Sequence, residues 1–399
     1  MPNIAGIMIP RKLQTRAQEL AGFYPVVAIT GPRQAGKTTL CKAAFPDKAY
    51  VSLESLDNRD FARHDPRGFL TEYGKGAIID EIQQAPELTS YLQDEVDADA
   101  TPGRFILTGS QHFALSQSIS QSLAGRCGVL VLLPPDLDEL KAFPNAPLDL
   151  FNTLWQGAYP RIYDRNIPAH QWLADYITTY IERDVRQVIN LGDLQVFSEF
   201  LKLCAGRTAC EINLSALGGD AGISHNTARA WLSVLETSYI IHRLPAWHAN
   251  IRKQVVKAPK LHFFDSGLVC YLLGIREPDQ LRHHPLRGAI FESWVVSELY
   301  KAQVNQGERP QMFHYRESRG PKIDVLVQQD TCLHAIEIKS GITVSTDFFK
   351  HFQRLPDRLK HTRLPSDIHN HVVYGGVQSQ QRSTARLVSW REISSIFSS

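Results

Sequence analysis

The chain has 399 residues, 43% of them hydrophobic and 21% charged, with a formal net charge of +2. That is room for two or three domains of roughly 100–200 residues, with the composition of an ordinary globular protein able to bury sizeable cores. No run approaches the roughly 18 apolar residues of a membrane span, and the opening MPNIAGIMIPRKLQ lacks the layout of a secretory signal, so a cytoplasmic, non-membrane protein is expected.

The six cysteines, at 41, 127, 204, 210, 270 and 332, form no C-x-x-C pair. Without a signal peptide they read as buried free thiols, with no disulfide partner and no zinc site. Charge is uneven: from Ile241 onward there are 22 Lys and Arg against 14 Asp and Glu. The C-terminal part is therefore basic, as a polyanion-binding surface would be.

Residues 1–135 alternate short apolar strands with helix-like stretches. The strands are VVAIT (26–30), AYVSL (49–53), GAIID (76–80), RFILTG (104–109) and CGVLVLL (127–133). Continuous apolar strands separated by helices predict a parallel sheet covered on both faces. After the first strand comes GPRQAGKTT, which satisfies G-x-x-x-x-G-K-[ST]. Its residues Gly31, Pro32, Arg33, Gln34, Ala35, Gly36, Lys37, Thr38 and Thr39 would cradle the phosphates of ATP, with backbone N–H groups other than that of Pro32, which has none, turned toward them. Lys37 reaches the β/γ oxygens and the Thr38 hydroxyl ligates Mg²⁺.

AIIDEI (77–82) ends a buried strand on Asp80, whose carboxylate would face the Mg²⁺, and Glu81 beside it would act as general base toward water. FILTGS places Thr108 and Ser110 where a γ-phosphate could be sensed or the next helix capped. Arg126 in SLAGR is a candidate arginine finger for a neighbouring subunit, or a structural ion pair.

Residues 136–192 read as a helical lid, with HQWLADYITTYIERDVRQVI as the strongest helix. Trp172, Tyr176, Ile177 and Tyr180 form an apolar stripe that reads as core packing or a lid helix, not a site. Residues 193–250 read as a winged helix-turn-helix, with Ser224 capping a helix that begins HNTARAW. His225, Asn226, Thr227 and Arg229 on its first turns are candidate DNA contacts. So are Arg252, Lys253 and Lys257, which with Trp247 lie in a basic stretch free of acids.

The set GPRQAGKTTL, IIDEIQ, LTGS, SLAGR and GAYPR, continued by YIERDV, FFDSGLVCYLLG, RGAIFESWVVSEL and EIKSG, resembles a prokaryotic family of AAA-like ATPases with a nuclease-like C-terminal part. The resemblance implies an α/β chain: an AAA-like P-loop NTPase, a helical lid, a winged helix-turn-helix, and a restriction-endonuclease-like domain over 251–399. That tail looks like the PD-(D/E)xK superfamily. The likeness assigns Glu292 on a helix, Asp324 at the start of a hairpin, and Glu337 with Lys339 on the next strand. Side chains at i and i+2 of a strand share a face, so Glu337 and Lys339 project together. Asp324 and Glu337 would hold Mg²⁺ as a hard oxygen-ligand pair.

The expectation is an ATP-hydrolysing protein, homo-oligomeric, that acts on DNA and binds it or cuts it through the tail. The alternative is a nucleotide-dependent signalling or assembly switch whose tail only binds.

Overall fold

The computed structural model describes residues 8–109, 122–181, 194–247, 258–316, 322–329, 331–352 and 367–397. Strand β1 (Val26–Thr30) is buried throughout, and its side chains alternate between two cores. Val26 and Ala28 meet Phe69, Leu70, Leu92 and Val96, while Val27 and Ile29 meet Leu13, Ala17, Leu40 and Cys41. A strand apolar on both faces belongs inside a sheet covered on both sides.

That sheet runs β2 (Ala49–Ser52), β3 (Ala77–Asp80), β4 (Phe105–Gly109), β1, β5 (Cys127–Val131), with all neighbours parallel. Helices α1 (Leu13–Ala21) and α2 (Lys37–Ala44) cover one face; α3 (Leu56–His64), α4 (Pro66–Glu72) and α5 (Leu88–Ala98) cover the other. The C-terminal ends of β1, β3 and β4 open along one edge, where parallel sheets of this kind bind ligands.

The middle of the chain is helical: α6 (Leu137–Leu140), α7 (Leu150–Gln156), α8 (Pro160–Asp164), α9 (Ala169–Tyr176), α10 (Leu194–Ala205), α11 (Leu214–Asp220) and α12 (His225–Thr237). Helix α9 passes into a π-helical turn, Ile177–Ile181, and the rest of that predicted helix, with the Tyr180 side chain, lies outside the described residues. Trp172, Tyr176 and Ile177 are buried, and the Tyr159 ring sits 4.7 Å from both Trp172 and Tyr176. Asn213 caps α11 and Ser224 caps α12, the latter accepting from the Thr227 amide at 3.0 Å. Between them Gly222 takes φ +69°, the left-handed turn that glycine adopts at least cost.

Strand β6 (Ile241–Leu244) pairs antiparallel with β7 (Lys260–Phe263), and of these residues only Arg243 is exposed. After α13 (Ser266–Leu272) and α14 (Pro278–His283) comes α15 (Arg287–Asn305), a 19-residue helix, about 28 Å long.

The second large sheet contains β8 (Met312–Arg316), β9 (Lys322–Gln329), β10 (Cys332–Lys339), β11 (Asp367–Tyr374), β12 (Gln380–Gln381) and β13 (Arg386–Ser389), in the order β12-β13-β11-β10-β9-β8. It is mixed: β8, β9 and β10 are antiparallel, and β10, β11 and β13 are parallel. Helix α15 packs Ile290, Val295 and Leu299 into the same core as Val325, Ile336, Ile338 and Val373. The chain is thus an α/β protein with an N-terminal parallel-sheet P-loop unit, a helical middle and a C-terminal mixed-sheet domain. No helix among the described residues is long and apolar enough to cross a membrane.

Buried charges join the two ends of the chain. Glu298 of α15 accepts from the Leu137 amide at 2.7 Å and from Lys301 Nζ at 2.8 Å. Lys301 also donates to the Pro135 carbonyl, and Asn305 to the Asp136 carboxylate. Glu298, Lys301 and Asp136 are all almost fully buried, so each depends on these partners. Glu139 continues the chain of contacts, pairing with Arg11 at 3.1 Å.

Candidate nucleotide site and a second acidic site

The loop between β1 and α2 depends on its glycines. Gly31 has φ +148°, and a Cβ there would lie 2.0 Å from the Leu132 carbonyl oxygen, so the chain can leave β1 past the end of β5 only without a side chain. Gly36, at φ +95°, caps α2 in a left-handed conformation, and Gln34 is also left-handed. Arg11 buttresses this loop, donating to the carbonyls of Ala35 at 2.8 Å and Leu133 at 2.7 Å. Lys37 is buried and donates to the Gly31 and Pro32 carbonyls at 3.0 and 2.9 Å. Burial lowers its pKa against the opposing pull of Glu81 and Asp80. An incoming phosphate would give this ammonium the counter-charge that carbonyls cannot.

Asp80, at the end of β3, gathers hydroxyl donors. Thr38 Oγ1 lies 3.0 and 3.1 Å from its two oxygens, Tyr50 donates at 2.8 Å, and Thr108 Oγ1 donates as well. Glu81 sits at φ +59°, its amide donates to Thr108 Oγ1 at 3.2 Å, and its carboxylate accepts from Gln83. The pairing of a threonine hydroxyl with a buried carboxylate beside the loop is a donor set that fits Mg²⁺.

Arg33, Gln34, Gly36, Lys37, Thr38 and Thr39 border one cleft together with Asp80 and Glu81. Ser110 lies outside the described residues. Arg126 is directed elsewhere, its guanidinium forked onto Asp97 at 2.5 and 2.8 Å. The far wall of the cleft is one that sequence reading passed over: Arg161 and Arg165 at α8. Arg161 Nε donates to Gln34 Oε1 at 3.1 Å. The signal was present in GAYPR, where Pro160 occupies the first turn of α8 and sets Arg161 over the loop.

The C-terminal acids come together. Glu292 projects from α15, Asp324 from β9, and Glu337 and Lys339 from β10, with Lys339 Nζ 2.6 Å from Glu337 and 3.8 Å from Asp324. Two further lysines enter that the motif does not contain. Lys260 of β7 pairs with Glu292 at 2.5 Å and lies 3.9 Å from Asp324, and Lys322 pairs with Asp324 at 3.1 Å. Three carboxyl groups thus face three ammonium groups in a largely buried cluster.

Burial pushes Glu337 up to about 7, and the nearby Asp324 charge adds to the rise. Burial and Asp324 raise Glu292 in the same way. Burial also works against ionised Asp324, but Lys322, Lys260, Lys339 and the Ile338 amide together hold it below the usual carboxylate value. Glu337 Oε1 is buried with no hydrogen-bond partner among the described residues. That open acceptor, with Asp324 adjacent, fits a hard divalent cation.

Of the expected DNA contacts, His225, Asn226 and Arg229 are exposed on the first turns of α12, and Thr227 is half-buried. Arg252, Lys253 and Lys257 lie outside the described residues. Trp247 packs partly buried on Tyr315, ring centres 5.7 Å apart.

Comparison with known proteins divides the chain in three. Residues 24–141 match a family model described as an AAA domain, while residues 148–279 and 287–393 match two models described as domains of unknown function (DUF8612 and DUF4143). The uncharacterized proteins Mb2031c of Mycobacterium bovis and Rv2008c of Mycobacterium tuberculosis are each 28% identical over 325 residues, 80% of this chain and 71% of theirs. Among solved structures, the Walker-type ATPase PABY2304 of Pyrococcus abyssi is 15% identical with a TM-score of 0.46, over 66% of this chain and 96% of that one. AMPPCP-bound DnaA from Aquifex aeolicus is 14% identical with a TM-score of 0.29, over 56% of this chain and 86% of that one. The family match and the loop together identify the N-terminal unit as an AAA-like P-loop ATPase domain.

Proposed function

We propose that this chain is an ATP-hydrolysing protein that acts on DNA, with a C-terminal domain of restriction-endonuclease type that binds the phosphodiester backbone and cleaves it with a divalent cation. The observation that carries the reading is the convergence of Glu292, Asp324, Glu337 and Lys339, brought from three elements to one largely buried point, around a carboxylate oxygen without a partner among the described residues. In the ATP site, Lys37 and the loop amides hold the phosphates, Thr38 and Asp80 hold Mg²⁺, and Glu81 orients water. Mg²⁺ at Asp324 and Glu337 would supply charge neutralisation and a more acidic water. Lys339 is placed to orient the attacking group, and His225, Asn226 and Arg229 offer an exposed helix end to DNA. A homo-oligomer in which Arg126 leaves Asp97 for a neighbour's phosphate belongs to the same proposal.

The test is a cleavage assay on single-stranded, duplex and branched DNA with Mg²⁺ or Mn²⁺, with and without ATP. Cleavage lost in Asp324→Ala supports the nuclease; its change in Lys37→Ala shows whether ATP governs it. One observation favours a second reading, a tail that binds without cutting. The Lys260 ammonium already lies against both Glu292 and Asp324, where a cation would be needed. No cleavage by the wild type on any substrate, with slow ATP turnover indifferent to DNA, would establish that switch instead.

A further inference from the structure

Strands β10 and β11 are parallel, and their register sets Cys332 beside Asp367 and His334 beside His369. Residues two apart on a strand share a face. Cys332 and His334 of β10 and Asp367, His369 and His371 of β11 therefore occupy one face of the sheet, at the ends of the strands remote from Glu337 and Lys339.

The contacts follow from that register. Cys332 Sγ is 3.4 Å from Asp367 Oδ2, and His369 Nε2 is 3.3 Å from the same oxygen. One ligand atom each from Cys332, Asp367 and His369 falls within 4.8 Å of the others. Behind them His334 Nδ1 meets His371 Nε2 at 3.1 Å, and the His334 ring stacks on His369 with centroids 5.5 Å apart. His371 is 3% exposed, and its Nδ1 is buried with no partner among the described residues.

We propose that Cys332, Asp367 and His369 form a binding site for a borderline transition-metal cation of the Zn²⁺ class, with water in the fourth position and the His334–His371 pair holding the His369 ring. Zinc bonds of about 2.0 Å to N and O and about 2.3 Å to S give tetrahedral edges of roughly 3.3–3.5 Å. The observed 3.3 and 3.4 Å separations match two of those edges, and the third, between Cys332 and His369, lies within 4.8 Å. Mixed sulfur, nitrogen and oxygen donors suit Zn²⁺ and exclude Mg²⁺, which takes oxygen. Binding converts the Cys332 thiol to a thiolate, its proton passing to solvent. The metal would pin the starts of two strands whose connection spans residues 340–366, with its water position left open. The sequence had the signal, C-x-H followed by D-x-H-x-H at strand spacing, but no C-x-x-C.

The same separations would also serve two hydrogen bonds, and Co²⁺ tells the cases apart. Full-length protein freed of metal by chelation is titrated with Co²⁺, then competed with Zn²⁺. The expected result is a thiolate-to-cobalt band with tetrahedral visible absorption that saturates at one equivalent. Cys332→Ser loses the band, His369→Ala weakens the binding that the band reports by about tenfold or more, and Asp324→Ala, in the separate acidic cluster, keeps the band. In the wild type, Zn²⁺ should also protect Cys332 from alkylation while the exposed Cys210 stays reactive. No band, a band that survives in Cys332→Ser, or alkylation of Cys332 indifferent to Zn²⁺ would overturn the site.

Discussion

Glu337→Gln tests the electrostatics of the acidic cluster without requiring any catalytic assay. The carboxyl group is raised from 4.5 to about 7, burial first and Asp324 second. Because its folded value lies above its unfolded one, the folded chain keeps a proton that the unfolded chain has released across that interval. Its contribution to stability is therefore full below about pH 4.5 and is lost as pH rises through about 7. At about 1.4 kcal/mol per pH unit the full loss is about 3 kcal/mol. Glutamine keeps the shape but cannot ionise, so the variant escapes the loss. In urea denaturation followed by circular dichroism, its stability relative to wild type should improve by about 2 kcal/mol between pH 5 and pH 8. Mg²⁺ near pH 8 should narrow the gap, because only the ionised carboxylate rewards a cation. A difference between variant and wild type that is constant with pH would refute the reasoning, since a packing change carries no proton.

Three other outcomes are expected. Lys37→Met should lower ATP turnover by about a hundredfold or more and lack the rise in melting temperature expected of the wild type with nucleotide. Tyr50→Phe removes one of the hydroxyl donors on Asp80, worth about 1 kcal/mol. ATP turnover should fall by less than about tenfold, and Thr108→Val should cost more because it also strips the Glu81 amide of its acceptor. Lys301→Met leaves Glu298 buried without its counter-ion and should destabilise the chain by about 3–5 kcal/mol in the same denaturation assay. Glu298→Gln combined with it should recover part of that loss.

The N-terminal site was legible because its pieces are local. A strand, a glycine loop and a helix start follow one another within the VVAITGPRQAGKTT stretch, and Asp80 ends a strand of continuous apolar residues. The pairing of Lys339 with Glu337 is local too, at i and i+2. What sequence could not show came from far along the chain. Lys260 reaches Glu292 because β7 runs beside α15, and Arg161 reaches Gln34 because α8 folds back over the loop. Arg11 binds the same loop from just ahead of α1. Nothing in the spacing of these residues announces the contact, since each depends on how the layers close. Cys332 and Asp367 obey the same rule, since they meet only through the pairing of two parallel strands, which no motif within one segment can show.

Helix α15 runs from the acidic cluster to the segment that follows the P-loop sheet. Glu292 lies among the C-terminal acids, and Glu298, Lys301 and Asn305 are bonded to residues 135–137, just beyond the last strand of the P-loop sheet. Nine residues of helix separate Glu292 from Lys301, a rise of about 14 Å, and a buried helix does not stretch. Asp324 and Glu337, by contrast, ride on the sheet. If residues 135–137 shift when nucleotide is bound or split, the helix behaves as a pushrod and carries Glu292 toward or away from the other two acids. The third carboxyl group would then be the member of the cluster that ATP sets in place, and the distance from Glu292 to Asp324 would register the state of the distant loop.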